Sequence, residues 1–343
     1  MKVPYFLKVL KRKVVGLYVR HKYYLWREVK KQSRLYKENP ERAQEGYYAA
    51  PAQERKSKKR AVCIYDETLK VGGLVDRLRG IVSIYKICKE KDIEFKVHFA
   101  HPFKLSRYLQ PNKVNWEITA EELNRNTNET DICYIYTATG SDYEVNKQEK
   151  WFRRELSKEY HEFHIRTNAL FSYKYNFSEL FGEIFKPTPL LNSLINKQKE
   201  ALGEEYISTS FRFLNLLGDF NEPFGKTPLT IEDSSKLISA NIAQLEKLHT
   251  EFPEKKILVN SDSITFLQAA NNLPYTYIIP GDISHVDNTN KPADNAHDKT
   301  LTDFFMIANA QNIYLFITGD MYNSGFPYAA SMLYSRPFHI IRY

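Results

Sequence analysis

A pair of glycines follows the first strongly apolar run of the chain, at a point where the backbone could approach a ligand closely. The apolar run Ala61–Tyr65 reads AVCIY, and the stretch from Gly72 to Gly80 reads GGLVDRLRG. Consecutive glycines permit a tight turn, and the N-terminus of a helix behind them favours an anion. Gly72, Gly73 and Arg77 are therefore candidate anion-binding residues. The alternative is a strand-to-helix turn with a solvated first helical turn.

Arg212 stands in a second run that favours burial, because Phe211, Phe213 and Leu214 surround it. An arginine in a buried strand is costly unless it is paired with a carboxylate or neutralises a ligand's negative charge. Arg212, with Ser210 before it, is a candidate for a negatively charged ligand. A structural salt bridge to an Asp or Glu is the alternative.

Two further stretches join an apolar run to a helical one. Asp262, in the sequence NSDS, follows the strand-like KILVN and either caps the next helix or contacts a ligand. The stretch Thr318–Ser331 follows NIYLFI and precedes a helix of small residues. Ser324, Gly325 and Phe326 open that helix, where backbone amides could hold a phosphate.

Several kinds of site are missing from the sequence. There is no DxD triplet, no HExxH, no GxSxG, no P-loop or GxGxxG motif and no Cys/His cluster. Metal catalysis and triad hydrolysis therefore lack support, and no metal is expected. The three cysteines form no disulfide framework, which is typical of free thiols in a reducing compartment.

The elements that must position these residues alternate between short β-rich runs and longer helical ones. This pattern predicts parallel sheets flanked by helices, and 343 residues are enough for two cores. Pro187 and Pro189 mark the join, so residues 61–186 and 187–343 are predicted to form two Rossmann-like domains facing a cleft. Ligands of such folds bind at the carboxyl ends of the strands.

Residues 1–60 differ in charge from the rest. They hold 18 Lys/Arg and 5 Asp/Glu, a balance of +13, whereas the remainder has 31 basic and 36 acidic residues, a balance of −5. This aromatic-rich arm could lie through residues 1–40 on an anionic membrane, pack as a helix on the body, or bind nucleic acid. The body carries no matching basic excess, which argues against nucleic acid. The sequence has no signal peptide and no apolar run long enough to cross a bilayer. It therefore predicts a cytoplasmic protein, which could also bind peripherally to the inner face of the membrane.

Taken together, these motifs resemble the GDP-fucosyltransferase superfamily, which includes α1,2-, α1,6- and protein O-fucosyltransferases. The glycine stretch at Gly72–Gly80 is similar to the N-terminal glycine loop of that group, and Asp262 to its later strand-end acidic residue. Ser324, Gly325 and Phe326 are similar to its serine-rich loop under the diphosphate. Ser210-Phe211-Arg212 stands where the family has HxRRxD. The family's histidine is Ser210 here, its second arginine is Phe213 and its aspartate is Asn215.

The resemblance implies a two-domain GT-B fold, a GDP-sugar donor bound in the second half, and inverting transfer without a metal. It implies that Arg212 and the amides near Ser324 stabilise the leaving diphosphate, that Asp262 contacts the nucleoside, and that the acceptor approaches near Gly72–Arg79. Asp219 or Glu222, in the loop after Arg212, is the candidate general base; a solvated loop carboxylate is the alternative for each.

The expected partners are therefore a nucleotide-sugar donor, foremost GDP-fucose, and a glycan acceptor that could be lipid-linked, as in polysaccharide biosynthesis. Two alternatives stay open. One is a glycosyltransferase with another nucleotide-sugar donor. The other is a non-catalytic protein of the same fold that binds a glycan or a nucleotide.

Overall fold

The computed structural model describes residues 24–31, 39–52, 58–69, 72–135, 142–168, 176–220, 225–283 and 295–343. The chain divides into two compact units. The first consists of Met1–His101 and Trp116–Tyr175, and the second of Pro102–Asn115 and Asn176–Tyr343.

The described part of the chain contains strands and α-helices in an alternating order. The strands are β1 (Arg60–Tyr65), β2 (Glu94–Phe99), β3 (Leu109–Pro111), β4 (Thr130–Ile135), β5 (Glu162–Thr167), β6 (Phe185–Pro187), β7 (Tyr206–Phe211), β8 (Lys256–Ser261), β9 (Thr276–Tyr277), β10 (Ile313–Ile317) and β11 (Phe338–Arg342). The helices are α1 (residues 24–31), α2 (Leu74–Lys91), α3 (Asp142–Glu155), α4 (Phe177–Ile184), α5 (Pro189–Leu202), α6 (Ile231–Glu251), α7 (Ile264–Ala270), α8 (Asp298–Asn309) and α9 (Gly325–Leu333).

The first unit is built on a parallel sheet with the strand order β2-β1-β5-β4. Helix α2 packs closely on one face, because a Cβ at Gly80 would lie 2.9 Å from Thr167 Cγ2 and 3.0 Å from the Tyr65 hydroxyl. The opposite face of β5 carries Glu162 and His164, both buried. That face is therefore polar although it lies inside the unit.

The described part of the N-terminal arm belongs to the first unit. Leu25 and Val29 of α1 are buried, and the Trp26 ring lies 5.0 Å from the Tyr134 ring. The Tyr47 hydroxyl is hydrogen-bonded to His164 Nδ1. This part of the arm is not separate from the body, because Leu25, Val29 and Ala43 are buried in the unit, although Tyr24 and Tyr48 are exposed. Of the three alternatives, packing on the body describes it.

The second unit is built on a parallel sheet with the order β11-β10-β7-β8-β9. Phe211 lies at the centre of its core, stacked on Phe316 at 5.2 Å and packed on Phe266 at 4.6 Å. No described helix is long and apolar enough to cross a membrane.

The boundary between the units differs from the predicted one at residues 186/187. Strand β6 lies within the second unit, where it pairs antiparallel with β3 of Pro102–Asn115. Pro189 is the first residue of α5, and Thr188 caps that helix by accepting a hydrogen bond from Leu191 N. The proline-marked segment therefore starts a helix and does not separate domains.

Candidate functional site

Arg212 lies immediately beyond the carboxyl end of β7, which ends at Phe211 and not at Leu214 as the apolar run predicts. Its backbone carbonyl accepts a hydrogen bond of 2.8 Å from Tyr322 N, in the loop between β10 and α9. Its side chain keeps 21% of its surface exposed. The carboxyl ends of two strands thus meet at a partly exposed arginine, which is where α/β folds bind ligands.

The carboxylate of Asp262, at the end of β8, holds this arginine. Arg212 Nη1 lies 3.4 Å from Asp262 Oδ2, and the two carboxylate oxygens accept hydrogen bonds of 2.8 Å from Phe213 N and Leu214 N. Burial raises the pKa of Asp262, while Arg212 and the two amides oppose that rise. Asp262 therefore positions Arg212 and the turn after β7, so the salt-bridge alternative for Arg212 describes this structure; Asp262 does not cap α7, whose N-cap is Ser263.

The turn after β7 has an unusual backbone, because Leu214 and Asn215 have φ angles of 49° and 72°. Non-glycine residues rarely adopt this left-handed conformation, so it needs support from its surroundings. The two amides bound by Asp262 provide part of that support. The guanidinium of Arg212 also lies 5.3 Å from the centre of the Phe220 ring, within the range of a cation–π contact.

Helix α9 begins at Gly325, beside the loop that contacts Arg212. Ser324 is its N-cap, with Oγ accepting a 3.3 Å hydrogen bond from Phe326 N. The Phe326 ring packs edge-on against Phe304 at 5.4 Å. Ser324 and Phe326 thus fix the start of the helix, and the remaining amides of its first turn form the kind of end that attracts anions.

Ser210 lies inside the second unit, one position before the end of β7. Its side chain is 3% exposed, and within the described residues its Oγ has no hydrogen-bond partner. It pairs in register with Asn260 of β8. Ser210 is buried because both faces of β7 are covered, all six residues of the strand being buried, and its contact with a ligand stays a prediction.

Near Asn260 lies an ion pair that the sequence reasoning missed. Lys299 Nζ lies 2.9 and 3.0 Å from the two oxygens of Asp303, and Asn260 donates a side-chain hydrogen bond to Asp303. Burial raises the pKa of Asp303, although Lys299 opposes that rise. The i, i+4 spacing of Lys299 and Asp303 on a helix was the available signal.

Asp219, a candidate general base, lies at the start of α7. Its Oδ2 accepts hydrogen bonds from Ser263 Oγ at 2.7 Å and Thr265 N at 2.8 Å. Its Oδ1 is buried and has no hydrogen-bond partner among the described residues. In this conformation Asp219 caps a helix, so neither the solvated-loop alternative nor an exposed base describes it. Glu222, the other candidate, lies outside the described residues.

The glycine stretch of the first unit adopts the predicted tight turn. Gly72 has a φ of +89°, and a Cβ there would lie 2.9 Å from Asp76 Oδ2, so a glycine is required. Gly73 is the N-cap of α2. Arg77, however, is only 1% exposed and donates hydrogen bonds to Gly72 O at 3.0 Å and His101 O at 2.7 Å. Arg77 therefore links the glycine turn to the chain after β2 by hydrogen bonds, and its side chain does not face solvent.

An ion pair between a buried arginine and a partly buried aspartate lies at the carboxyl ends of β1 and β5 in the first unit. Arg166 donates two parallel hydrogen bonds to Asp66, of 2.7 and 2.9 Å, and its side chain is 3% exposed. Burial alone would raise the pKa of Asp66, but Arg166 and Thr68 hold it well below its usual range. Sequence analysis missed this pair, because its members are a hundred residues apart.

Several solved fucosyltransferases have a similar structure. NodZ alpha-1,6-fucosyltransferase, soaked with GDP-fucose, matches with a TM-score of 0.53 and 11% identity over 81% of this chain and 93% of NodZ; NodZ comes from Bradyrhizobium. A mutant of Arabidopsis thaliana FUT1 in complex with GDP matches with a TM-score of 0.50 and 14% identity over 94% of this chain and 78% of its own. POFUT1 in its apo form matches with a TM-score of 0.53 and 11% identity over 84% of this chain and 99% of its own.

These likenesses confirm the predicted α/β, GT-B-like fold class, and they confirm the resemblance to the fucosyltransferases at the level of fold. The amino-acid sequence itself matches no family profile, and no curated protein resembles it significantly.

Proposed function

We propose that this protein, which shares its fold with these fucosyltransferases, is an inverting glycosyltransferase that moves fucose from GDP-fucose to a glycan acceptor. The observation that carries the proposal is the partly exposed Arg212, held by Asp262 beside the loop that leads into α9. A guanidinium and the amides of a helix N-terminus are the groups that bind a diphosphate best. The similar NodZ was soaked with GDP-fucose and the similar FUT1 mutant is in complex with GDP, which favours GDP-fucose over other donors.

The proposed reaction is a single displacement. The acceptor hydroxyl oxygen forms a bond to the anomeric carbon, the bond from that carbon to the diphosphate oxygen breaks, and GDP leaves with the electron pair. The hydroxyl proton passes to a base or to water. Negative charge grows on the diphosphate as the bond breaks, so Arg212 and the first amides of α9, near Ser324–Phe326, would stabilise the transition state.

No metal is required in this proposal, because the sequence lacks the DxD triplet and Arg212 supplies positive charge at the diphosphate. The general base stays a hypothesis. Asp219 could serve only if its Oδ1 became exposed, since its Oδ2 is held by Ser263 and Thr265. The nucleoside contact proposed for Asp262 would likewise compete with its bonds to Phe213 and Leu214.

We assign the acceptor to the first unit, with a glycan, including a lipid-linked one, as its chemical class. Membrane contact is proposed for the arm, but the buried Leu25 and Val29 show that α1 uses its apolar side for packing. The proposal therefore narrows from residues 1–40 to residues 1–23, which hold seven Lys/Arg and no Asp/Glu. Such a segment would place the protein at the inner face of an anionic membrane.

The test is release of GDP from GDP-fucose by the purified full-length protein, with EDTA present and with panels of glycans as acceptors. Parallel reactions with UDP- and ADP-sugars report donor choice. Acceptor-dependent GDP release without metal supports the proposal. Turnover of a UDP-sugar but not of GDP-fucose would show that the donor is a UDP-sugar.

A second candidate is a non-catalytic protein that binds a nucleotide or a glycan. Two observations favour it: Phe213, which stands in place of the family's second arginine, is buried against Phe266, and Asp219 is engaged in capping α7. GDP binding without turnover of any sugar nucleotide, over the full acceptor panel, would support this candidate.

A further inference from the structure

The first unit contains a buried group of three side chains with the donor atoms that metal ions take. Asp131 and Cys133 lie on β4 and Glu155 is the last residue of α3, and all three are buried. One carboxylate oxygen of each acid and the cysteine sulfur lie within 4.8 Å of one another. Residues two apart on a strand point to the same face, so β4 presents its two donors together beneath α3.

Glu155 is incompletely satisfied in this group. Its Oε2 accepts a 2.9 Å hydrogen bond from Lys158 Nζ, but Oε1 is buried without a hydrogen-bond partner among the described residues. A buried carboxylate oxygen without a partner is costly, so a charged ligand that reached it would be bound favourably.

The charges in the group do not balance. Lys158 Nζ also lies 3.4 Å from Asp131 Oδ2, so among these four side chains one ammonium faces two buried carboxylates, and their formal charges sum to −1. If a divalent cation binds and Cys133 becomes a thiolate, the charges of the two carboxylates, the thiolate, the cation and Lys158 sum to zero. A divalent cation therefore neutralises the group without removal of the lysine.

We propose that Asp131, Cys133 and Glu155 bind Zn²⁺. Zinc accepts sulfur and carboxylate ligands together, whereas a thiolate is unfavourable for Mg²⁺ and Ca²⁺. Zinc bonds are about 2.0 to 2.3 Å long, so the three donors move closer together when the ion enters. Binding forms a Zn–S bond, and the thiol proton of Cys133 leaves to solvent. The site lies in the first unit and does not depend on the proposed transferase activity.

Cobalt(II) titration of the full-length protein tests the site, because a thiolate bound to cobalt gives a near-ultraviolet charge-transfer band. The expected result is a band that zinc displaces, that Cys133→Ser abolishes and that Cys88→Ser retains. Cys88 is the matched control, since it is a buried thiol of α2 outside the group. A band of equal strength in Cys133→Ser, or no band in the wild type, overturns the proposal.

Two further variants keep the test decisive if Cys133→Ser does not fold. Glu155→Gln retains the thiol but removes one anionic ligand, so zinc affinity should fall at least tenfold. Lys158→Met removes the competing ammonium, so zinc should bind at least as tightly as to the wild type and raise the melting temperature. If Lys158→Met is destabilised and zinc restores nothing, the group is an ion-pair cluster only and the proposal is wrong.

Discussion

Arg212 Nη1 lies 3.4 Å from Asp262 Oδ2, and the same carboxylate binds the two backbone amides that follow the arginine. One buried group thus fixes both the side chain that is proposed to meet the diphosphate and the turn that carries it. We therefore expect Asp262 to affect GDP binding indirectly, by holding Arg212 in position.

Asp262→Asn should weaken GDP binding at least tenfold and lower stability by about 1–3 kcal/mol. The amide removes the charge opposite Arg212, and one of the two backbone amides of Phe213 and Leu214 loses its acceptor. Calorimetric titration with GDP and thermal unfolding measure the two effects. Asp92→Asn is the control, because this carboxylate of the first unit is 84% exposed in its pair with Lys58 and should change neither quantity. Wild-type affinity in Asp262→Asn would contradict the positioning role.

Asp66→Asn should destabilise the protein at neutral pH by about 3 kcal/mol, because it leaves Arg166 buried without its carboxylate. The pKa of Asp66 is lowered in the folded state, so its stabilisation is present above the unfolded pKa of about 3.9 and is lost as pH falls through the folded pKa. The melting temperatures of wild type and variant should therefore converge as the solution becomes acidic.

The control for this pH series is Asp92→Asn. Asp92 pairs with the exposed Lys58, and its backbone is left-handed, a conformation that asparagine tolerates well. Its melting temperature should follow that of the wild type at every pH. A constant difference between Asp66→Asn and wild type from neutral to acidic pH would show that the ion pair is not the cause.

Gly72→Ala should destabilise the first unit by more than about 1 kcal/mol, because the backbone there has a positive φ and the new Cβ would meet Asp76. Gly182→Ala is the matched control. Gly182 lies within α4 with no heavy atom within 4 Å of its added Cβ, so alanine should stabilise the helix by about 0.5–1 kcal/mol. Denaturant unfolding should therefore show a lower free energy of unfolding for Gly72→Ala and a higher one for Gly182→Ala. Equal effects would show that the turn at Gly72 is not strained by a side chain.

Deletion of residues 1–23 should leave the melting temperature unchanged and abolish flotation with anionic liposomes. Deletion of residues 1–60 should instead destabilise the first unit, because it removes Leu25, Val29 and the partner of His164, Tyr47. The shorter deletion separates membrane contact from folding. Flotation of the protein without residues 1–23 would refute membrane contact through that segment.

Most elements of the fold were predictable, because their apolar residues repeat with the period of a strand or a helix. Strand β5 was not, although it is the strand between β1 and β4. Its sequence EFHIRT has only two apolar residues, Phe163 and Ile165, which is too few to indicate a buried strand, yet all six residues are buried. Glu162 pairs with Arg60, and His164 with Tyr47, and neither partner is close in sequence.

The location of the candidate site was predictable from the sequence, but the contacts between its residues were not. Arg212, Asp262 and Ser324 all lie at the carboxyl ends of strands, as alternating elements imply. That Asp262 binds Arg212, and that Arg77 is buried under its own glycine turn, depends on tertiary contacts that local patterns do not encode.

The most direct test of the proposed function is calorimetric titration of the full-length protein with GDP, UDP and ADP in the presence of EDTA. We expect GDP to bind and UDP and ADP to bind more weakly. Arg212→Ala should lose about tenfold to a hundredfold in GDP affinity, since a charge-assisted hydrogen bond contributes about 1.5–3 kcal/mol. Lys236→Ala, an exposed lysine on α6 with the same change in net charge, should bind GDP like the wild type. Absence of binding to any of the three nucleotides, or full GDP affinity in Arg212→Ala, would contradict the proposal.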